Sequence, residues 1–587
     1  MESRWRAMDQ APSNRQIAAI LRRIGDILDI QGENRFKVLA YRRAADNIEA
    51  LPRDLADYWR EGRLREIPGI GEALTEKLDE LLRTGRMTYL EKLEQQVPSG
   101  VVDMLQIPEV GPKTARLVWE KLGITSIQQL QAAAEAGRLR QLPGMGAKSE
   151  QKILAGIQAL ARRSQRVPIG QARPLAMALL AGLQAAVPGL TRVSVAGSLR
   201  RWRETIGDLD LLVAVEDPEP VMEAFVHLPE VAEVLLRGNT KTSIRTRDGI
   251  QADLRVVSPK HWGTALQYFT GSQAHNIALR ERALKRGFSL SEYSLKRADG
   301  RELFCESEEE VYELLGLPWI PPELRENRGE IEAAAEGRLP NLIELSQLQG
   351  ELHSHSTWSD GTVTIEEMAE AARARGYRYL VITDHSGSLG VTGGLSAERL
   401  REQRAEIDRL NRRWSDFRLL QGAEVEVRAD GTLDYPDEVL ATLDCVVASL
   451  HTGLRQDRDQ ITARALAAVR NPHVDVLGHP SGRLLGRREE SAVDLEVVLQ
   501  AAAETGIAIE VNAHPARLDL DDVHVHRAME LGVPIVINCD AHSPADFDFI
   551  VYGVATARRG WATPDRVLNT LPLDELERWL RNRRKLR

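Results

Sequence analysis

Cysteine is almost missing from this chain: Cys305, Cys445 and Cys539 are the only three among 587 residues. They are scattered and lack Cys-x-x-Cys spacing, which excludes a disulfide framework and a thiolate zinc site. Long apolar runs are missing as well. No uninterrupted stretch reaches the roughly 18 residues that cross a bilayer, and the opening Met-Glu-Ser-Arg-Trp-Arg has no signal-peptide core. No membrane partner is expected, and the expected compartment is the cytoplasm. A hydrophobic share of 43% and a charged share of 28% are ordinary for soluble globular protein. A chain of this length is expected to form three or four cores.

Residues 151–200 lack acidic side chains altogether and hold seven basic ones. They mark one extreme of an uneven charge distribution. The overall net charge of −9 argues at first against nucleic acid. Residues 1–300, however, carry 44 Lys and Arg against 36 Asp and Glu, a net of +8, while the remainder carries 33 against 50, a net of −17. The basic part suits a polyanion and the acidic part suits cations.

One short pattern recurs in the basic part: Ile67-Pro-Gly-Ile-Gly71, Ile107-Pro-Glu-Val-Gly111 and Leu142-Pro-Gly-Met-Gly146, each followed by a helical run. Gly69, Gly71, Gly111, Gly144 and Gly146 would let backbone N–H groups approach a phosphate, with Lys113 adding charge. A helix N-terminus adds favourable partial charge, so these turns can read a sugar-phosphate backbone without reading bases. A single such turn is more often only a connection between helices. Three copies resemble helix-hairpin-helix modules and point to gapped or primed duplex DNA.

A second constellation lies in Val193-Ser-Val-Ala-Gly197-Ser198-Leu-Arg200-Arg201 through Gly207-Asp208-Leu-Asp210. It reads strand, Gly-Ser turn, basic loop, strand. Alternation puts Asp208 and Asp210 on one face of a strand, and Asp253, in Gln251-Ala-Asp-Leu-Arg255, completes a three-carboxylate set on another. Carboxylate-only ligation suits Mg2+ or Mn2+. Gly197, Ser198 and Arg201 would hold a triphosphate while two ions serve nucleotidyl transfer.

The acidic part holds ten of the 13 histidines. His353, His355, Asp360, His385, Glu424, His451, His479, Asp540 and His542 form a dispersed candidate ligand set, several of them ending short apolar strands. Imidazoles mixed with carboxylates suit zinc, manganese or iron, and clustered ions suit phosphoester hydrolysis. For His473, His514, His524 and His526 the plainer reading applies, that of buried histidines satisfied by backbone partners.

These motifs carry family resemblances. His353-Ser-His355, Asp384-His385, Glu424, His451, His479-Pro480 and Asp540-Ala-His542 resemble the polymerase and histidinol phosphatase (PHP) domain, over about residues 346–575. The resemblance implies a distorted (βα)7 barrel binding up to three ions of Mn2+, Zn2+ or Fe2+ at the nine positions. Gly-Ser-x-Arg-Arg with Gly-Asp-x-Asp resembles the nucleotidyltransferase superfamily. Tyr268-Phe269-Thr-Gly271-Ser272 with Asn276 and Arg280 resembles the nucleotide-binding segment of family X DNA polymerases. It implies that Tyr268, Phe269, Gly271 and Asn276 contact the deoxynucleoside triphosphate and that Arg280 contacts template. Ile277 stands where that family often has a template-stacking lysine, and Gln251 where it has an arginine. The stretch Asn34 to Leu81 is similar to the small N-terminal domain of the beta-type members, which places Lys77 at a Schiff-base position and Lys37 and Tyr41 at phosphate contacts. Ala73 replaces another family lysine, and Glu76 and Asp79 would keep Lys77 charged, so an ordinary surface lysine is the alternative.

The expected organisation is a helical lyase-like domain (1–95), a fingers-type helix-hairpin-helix domain (96–170), an α/β palm and thumb (171–316), a linker (317–348) and a PHP barrel (349–587). Glu306–Glu313 is expected as a solvated helix, and the C-terminal run from Arg581 as a frayed, solvated helix end. Taken together, the chain resembles a bacterial or archaeal family X DNA polymerase carrying a PHP domain, which implies a gap-filling repair enzyme with a metal-dependent 3′-to-5′ exonuclease; a monomer is expected. Cleavage at abasic sites stays open. So do two other classes, a barrel that hydrolyses small phosphate esters and a noncatalytic scaffold for DNA ends.

Overall fold

Apolar residues at helical spacing dominate the first unit. The computed structural model describes residues 12, 14–49, 51, 54–107, 110–163, 166–388 and 392–585. The chain divides into two units, Met1–Gln165 and Arg166–Arg587. In the first, helices α1 (Asn14–Gln31) and α2 (Arg35–Glu49) bury Ile17, Leu21, Ile24, Leu28, Ala45 and Ile48 along one stripe each. All three recurrent turns precede helices, α3 (Glu72–Thr84), α4 (Pro112–Leu122) and α5 (Ala147–Arg163). Gly69 and Gly144 take left-handed φ values of +83° and +77°, which a side chain would resist. Gly71 and Gly111 cap α3 and α4 without a side-chain hydrogen bond, and nothing lies within 4 Å of where their Cβ atoms would be. Pro108 and Glu109 of the middle turn lie outside the described residues.

The second unit opens with a five-stranded mixed sheet. Its strands are β1 (Val193–Val195), β2 (Leu209–Ala214), β3 (Val231–Arg237), β4 (Lys241–Thr246) and β5 (Gln251–Val257), in the order β1-β2-β5-β4-β3. Only β2 and β5 run parallel. Helices Ile169–Ala186 and Glu219–Val226 bury Leu179, Leu183, Val221 and Phe225 with Leu211 and Val213 of β2. Leu212 points the other way, onto Ala265 and Leu266 of helix Trp262–Thr270. A small antiparallel sheet follows, β6 (Phe288–Leu290), β7 (Leu295–Arg297) and β8 (Glu302–Leu303).

The barrel has seven parallel strands in chain order: β9 (Gly350–Ser354), β10 (Tyr379–Ile382), β11 (Arg418–Glu426), β12 (Cys445–Ser449), β13 (Val476–Leu477), β14 (Ala508–Asn512) and β15 (Ile535–Asn538). A bridge between Ser354 and Ala541 brings the last edge to the first. Nearly every strand residue is buried, as expected where helices cover the outside of a parallel sheet. The distortion predicted for the barrel is visible in β13, which keeps only two residues.

Two surface assignments hold only in part: Glu306, Glu309, Glu310, Glu313, Arg581 and Asn582 are exposed, but one charged residue of each run is buried. Glu308, in the acidic run expected to be solvated, is buried; it accepts from both terminal nitrogens of Arg200 at 2.7 Å, from Arg325 at 2.6 Å and from Trp319 at 3.1 Å. Three acids in the first turn of one helix do look solvated locally, but two arginines distant in sequence supply the compensating charge. The C-terminal helix Leu573–Lys585 is likewise packed: Leu576 and Leu580 join Val381, Val447 and Val476, and buried Arg583 pairs with Asp475 at 2.6 Å. In the stretch expected as a linker, Arg325, Glu330 and Ile343 are fully buried.

Candidate functional site

In the palm, Asp210 on β2 registers beside Asp253 on the parallel strand β5, with Asp208 two residues before Asp210. The Gly-Ser turn closes directly on this pair. A Cβ on Gly197 would lie 2.0 Å from Asp210 Oδ2, and Gly197 has a left-handed φ of +57°. Only glycine fits both demands. Burial, reinforced by the Asp208 and Asp253 charges, pushes Asp210 up to about 7. Lys241 Nζ lies 2.6 Å from Asp253 Oδ2, and Gln251 Nε2 donates to Oδ1 at 2.9 Å. The position read as a lost arginine thus still contacts the third carboxylate. A crowd of carboxylates in which one is driven toward protonation fits a divalent cation.

The aromatic turn lies next to it. Tyr268 and Phe269 meet edge to face at 5.1 Å, Arg280 stands 5.1 Å over Tyr268, and Arg255 4.5 Å over Phe269. Asn276 donates to Tyr268 O at 2.8 Å and accepts from Gln267 at 2.8 Å. Gly271 has φ +69°. Arg201 is held by protein partners in this arrangement. Its guanidinium pairs with Glu326 at 3.1 Å and donates to Thr270 O, while Arg559 donates to Arg201 O. The arginine is therefore a brace between the Gly-Ser turn and the segment around Glu326.

In the barrel, the nine expected ligands converge. Glu424, at the end of β11, lies at the centre: one carboxylate oxygen is 3.0 Å from His385 Nδ1, 3.4 Å from His353 Nε2 and 3.5 Å from His355 Nε2. The other is 2.9 Å from His479 Nε2 and 3.1 Å from His451 Nε2. Asp540 approaches His355 at 3.1 Å and His353 at 3.5 Å, and Asp360 approaches His385 and His542 at 3.4 Å each. Three groups have donor atoms within 4.8 Å of one another: His355, Asp360, His385 and His542; His353, His355, Glu424 and Asp540; and His385, Glu424 and His451. Among the described residues all such groups lie in the barrel; the palm carboxylates, with Lys241 on Asp253, do not form one.

Metal fit can be tested on the imidazoles themselves. Among the described residues, buried His353 Nε2, His355 Nδ1, His385 Nδ1 and His479 Nδ1 have no hydrogen-bond partner, a costly state for a polar atom unless a cation takes its lone pair. Burial lowers His353, but Glu510, Asp540 and Glu424 outweigh it and hold the ring well above its usual value. Burial and the neighbouring His542 push His355 down to about 3. At His451 and His542 too, neighbouring carboxylates outweigh burial and shift the rings upward, so the carboxylates among these imidazoles strongly favour positive charge at the site.

Sequence reasoning missed the outer layer. Glu510 Oε1 lies 2.7 Å from His353 Nδ1, and its Oε2 accepts from His479 N at 2.8 Å. Glu426 accepts at 2.9 Å on His451 Nδ1. Each fixes the ring nitrogen that a metal would not use. Their available signal was acid inside an apolar strand, as in Ile507-Ala-Ile-Glu510-Val. His479 and Asp540 take left-handed φ values of +26° and +55°, which no local pattern announces in a non-glycine residue. The His524 ring bonds the Asp521 carboxylate at 2.8 Å, where a backbone partner was expected.

In the first unit, Lys37, Tyr41 and Lys77 gather around Tyr89, another residue not singled out. Lys77 Nζ stands 4.9 Å over its ring and donates to Ala73 O at 2.7 Å; Tyr41 stacks on it at 6.1 Å. Lys37 pairs with Glu33 at 3.5 Å.

Comparison with known proteins accounts for these parts together. Family descriptions match as a helix-hairpin-helix domain over residues 12–87, a SAM-like helix-hairpin-helix tandem over 101–159, a DNA polymerase beta thumb over 265–326 and a PHP domain over 351–514. The chain is 28% identical over 244 residues to a probable phosphatase of Thermoanaerobacter sp. (strain X514), covering 40% of this chain and 94% of that protein. It is 26% identical over 343 residues to DNA polymerase lambda of Rattus norvegicus, covering 53% and 56%. It is 40% identical over 570 residues to the DNA polymerase/3′-5′ exonuclease PolX of Bacillus subtilis (strain 168), covering 97% of this chain and 99% of that protein. With palm, thumb, helical modules and metal barrel in one chain of matching extent, this protein belongs to the family X DNA polymerases that carry a PHP domain.

Proposed function

We propose that this protein fills short gaps in DNA by template-directed synthesis at the palm and shortens 3′ ends at the barrel. The observation that carries the reading is the presence in one chain of two clusters of different chemistry, the carboxylates Asp208, Asp210 and Asp253 in the palm and the His, Asp and Glu side chains gathered around Glu424 in the barrel. Mg2+ or Mn2+ suits the first; Mn2+, Zn2+ or Fe2+, up to three ions, suits the second. When bound, such ions supply Lewis-acid charge that activates an oxygen nucleophile and stabilises charge developing on phosphate.

The protein's own groups do the positioning. Gly197 and Ser198 present the turn beside Asp210, where a triphosphate would meet backbone N–H groups. Tyr268, Phe269 and Gly271 wall the sugar, Asn276 faces the incoming base, and Arg280, stacked on Tyr268, faces template. The turns at Gly69, Gly71, Gly111, Gly144 and Gly146, all but the first with open space beside the glycine, grip the DNA backbone together with Lys113. Lys37 and Tyr41 add a phosphate contact. For Lys77, its bond to Ala73 O and its place on Tyr89 support packing over a nucleophilic role. We place the domain boundaries near residues 95, 170, 316 and 348, and take the working form as a cytoplasmic monomer with no membrane partner.

A 5′-labelled primer in a short gapped duplex, incubated with Mn2+ and resolved on a denaturing gel, tests the proposal. Growth with deoxynucleotides and 3′ shortening without them is expected. The match to a probable phosphatase favours a second reading for the barrel alone; release of inorganic phosphate from histidinol phosphate or pyrophosphate, with no 3′ shortening, would establish it.

A further inference from the structure

One charged side chain at the barrel rim is left unused by the ligand set. Arg517 Nε lies 3.8 Å from Asp540 Oδ2, with the arginine side chain 21% exposed. Among the described residues its guanidinium has no hydrogen-bond acceptor. That distance is too long for a hydrogen bond, and a dedicated Arg–Asp pair would close to about 2.8 Å. Neighbouring arginines do spend their donors: Arg483 on Arg517 O, Leu518 O and Glu204, and Arg559 on Arg201 O, Glu326 and Asp522. Arg517 keeps a five-donor fork free beside a metal group.

His514 stands next to it. Its Nδ1 accepts from Ala516 N at 3.2 Å, which assigns the proton to Nε2, and that nitrogen too has no acceptor among the described residues. Asp540, Arg517 and His542 are close enough to act on its charge. The ring edge is fixed against Phe549 at 5.1 Å.

The loop that carries both residues is held from two sides. Asn512 N donates to Asp519 O at 2.6 Å, Leu485 N to Ala516 O at 2.7 Å and Arg483 Nε to Arg517 O at 3.0 Å. On the palm side, a Cβ on Gly170 would lie 2.4 Å from Pro515 Cβ, and Leu518, at φ +47°, is buried in the palm core. Donors on so fixed a loop are preorganised, and ordering them costs little on binding.

We propose that Arg517 and His514 form the oxyanion-binding rim of the barrel centre, donating to non-bridging oxygens of the phosphate whose ester bond is cut. The planar fork of Arg517 matches two phosphate oxygens. This inference rests on the reading of the barrel as a phosphodiester hydrolase, and it adds the residues that seat the substrate.

The test uses the full chain loaded with Mn2+, comparing wild type with Arg517→Ala, Arg517→Lys and His514→Gln. Manganese content, inorganic phosphate binding by calorimetry, and KM and kcat for shortening of a single-stranded oligonucleotide are read for each. With manganese content at the wild-type level, Arg517→Ala should weaken phosphate binding and raise KM roughly ten- to a hundredfold. Arg517→Lys should recover part of this, and His514→Gln, whose mobile amide replaces a ring held against Phe549, should also weaken phosphate binding and raise KM, by less than Arg517→Ala. Wild-type phosphate affinity and KM in Arg517→Ala would overturn the proposal. So would lost manganese in Arg517→Ala and Arg517→Lys alike, which would make Arg517 a support of the ligand set. A wild type that binds phosphate through Arg517 but leaves DNA intact would refute the exonuclease reading and keep the rim.

Discussion

Replacing Gly197 with alanine isolates the palm geometry in one atom. The added Cβ would sit 2.0 Å from Asp210 Oδ2, 3.0 Å from Cγ and 3.3 Å from Cβ. Ordinary van der Waals contact begins near 3.4 Å, so the carboxylate must retreat by about 1.4 Å or the turn must open by as much. Alanine at φ +57° adds about 1–2 kcal/mol of backbone strain. Misplacing a catalytic group by about 1 Å costs on the order of a hundredfold in rate. Single-turnover extension of a gapped primer should therefore fall at least about a hundredfold, equivalent to about 2.7 kcal/mol. Barrel-dependent 3′ shortening should stay near wild type. Gly189→Ala is the control: Gly189 has φ +84° but nothing within 4 Å of the new atom, so it pays the strain without the collision. Extension by Gly197→Ala within about threefold of wild type, or an equal loss in Gly189→Ala, would refute the reasoning.

Two further outcomes follow from the electrostatics. Glu510→Gln removes the carboxylate 2.7 Å from His353 Nδ1 and should weaken Mn2+ binding at the barrel roughly ten- to a hundredfold in a chelator competition; unchanged affinity would deny Glu510 an orienting role. In the palm, Asp210 is raised to about 7 from an ordinary value of 3.8. Without metal the folded form holds that proton while the unfolded chain has released it, so this group's contribution to stability falls as pH rises from about 4 to 7 and is then flat. Urea midpoints of metal-free wild type minus those of Asp210→Asn should show this downward slope, and Mg2+ should remove it; parallel curves would contradict the shift.

What the sequence disclosed follows physical range. Most barrel ligands sit in short strand-end motifs, so His353-Ser-His355 or Asp540-Ala-His542 is visible without knowing its partners. The three palm aspartates were likewise legible, because strand alternation alone aligns Asp208 with Asp210. Long-range pairs were not. Glu308 looks solvated in Glu308-Glu-Glu until Arg200, 108 residues away, and Arg325 are placed against it. Arg583 looks frayed until Asp475 meets it, again 108 residues away. Arg201 carries the residue type a triphosphate needs, but its surroundings include Arg559, 358 residues on. The left-handed backbone at His479 and Asp540 has no glycine to advertise it. Glu510 carried a faint signal, a charge in an apolar strand, and its meaning needed the neighbouring strand that holds His353.

The central claim is that one chain houses two separable phosphoryl chemistries. Asp210→Ala and His353→Ala, each checked for an intact fold, should be compared on the same labelled gapped primer with Mn2+, with and without deoxynucleotides. The account predicts that Asp210→Ala abolishes extension and keeps 3′ shortening, whereas His353→Ala does the reverse. Loss of both activities in either folded variant would contradict two independent centres.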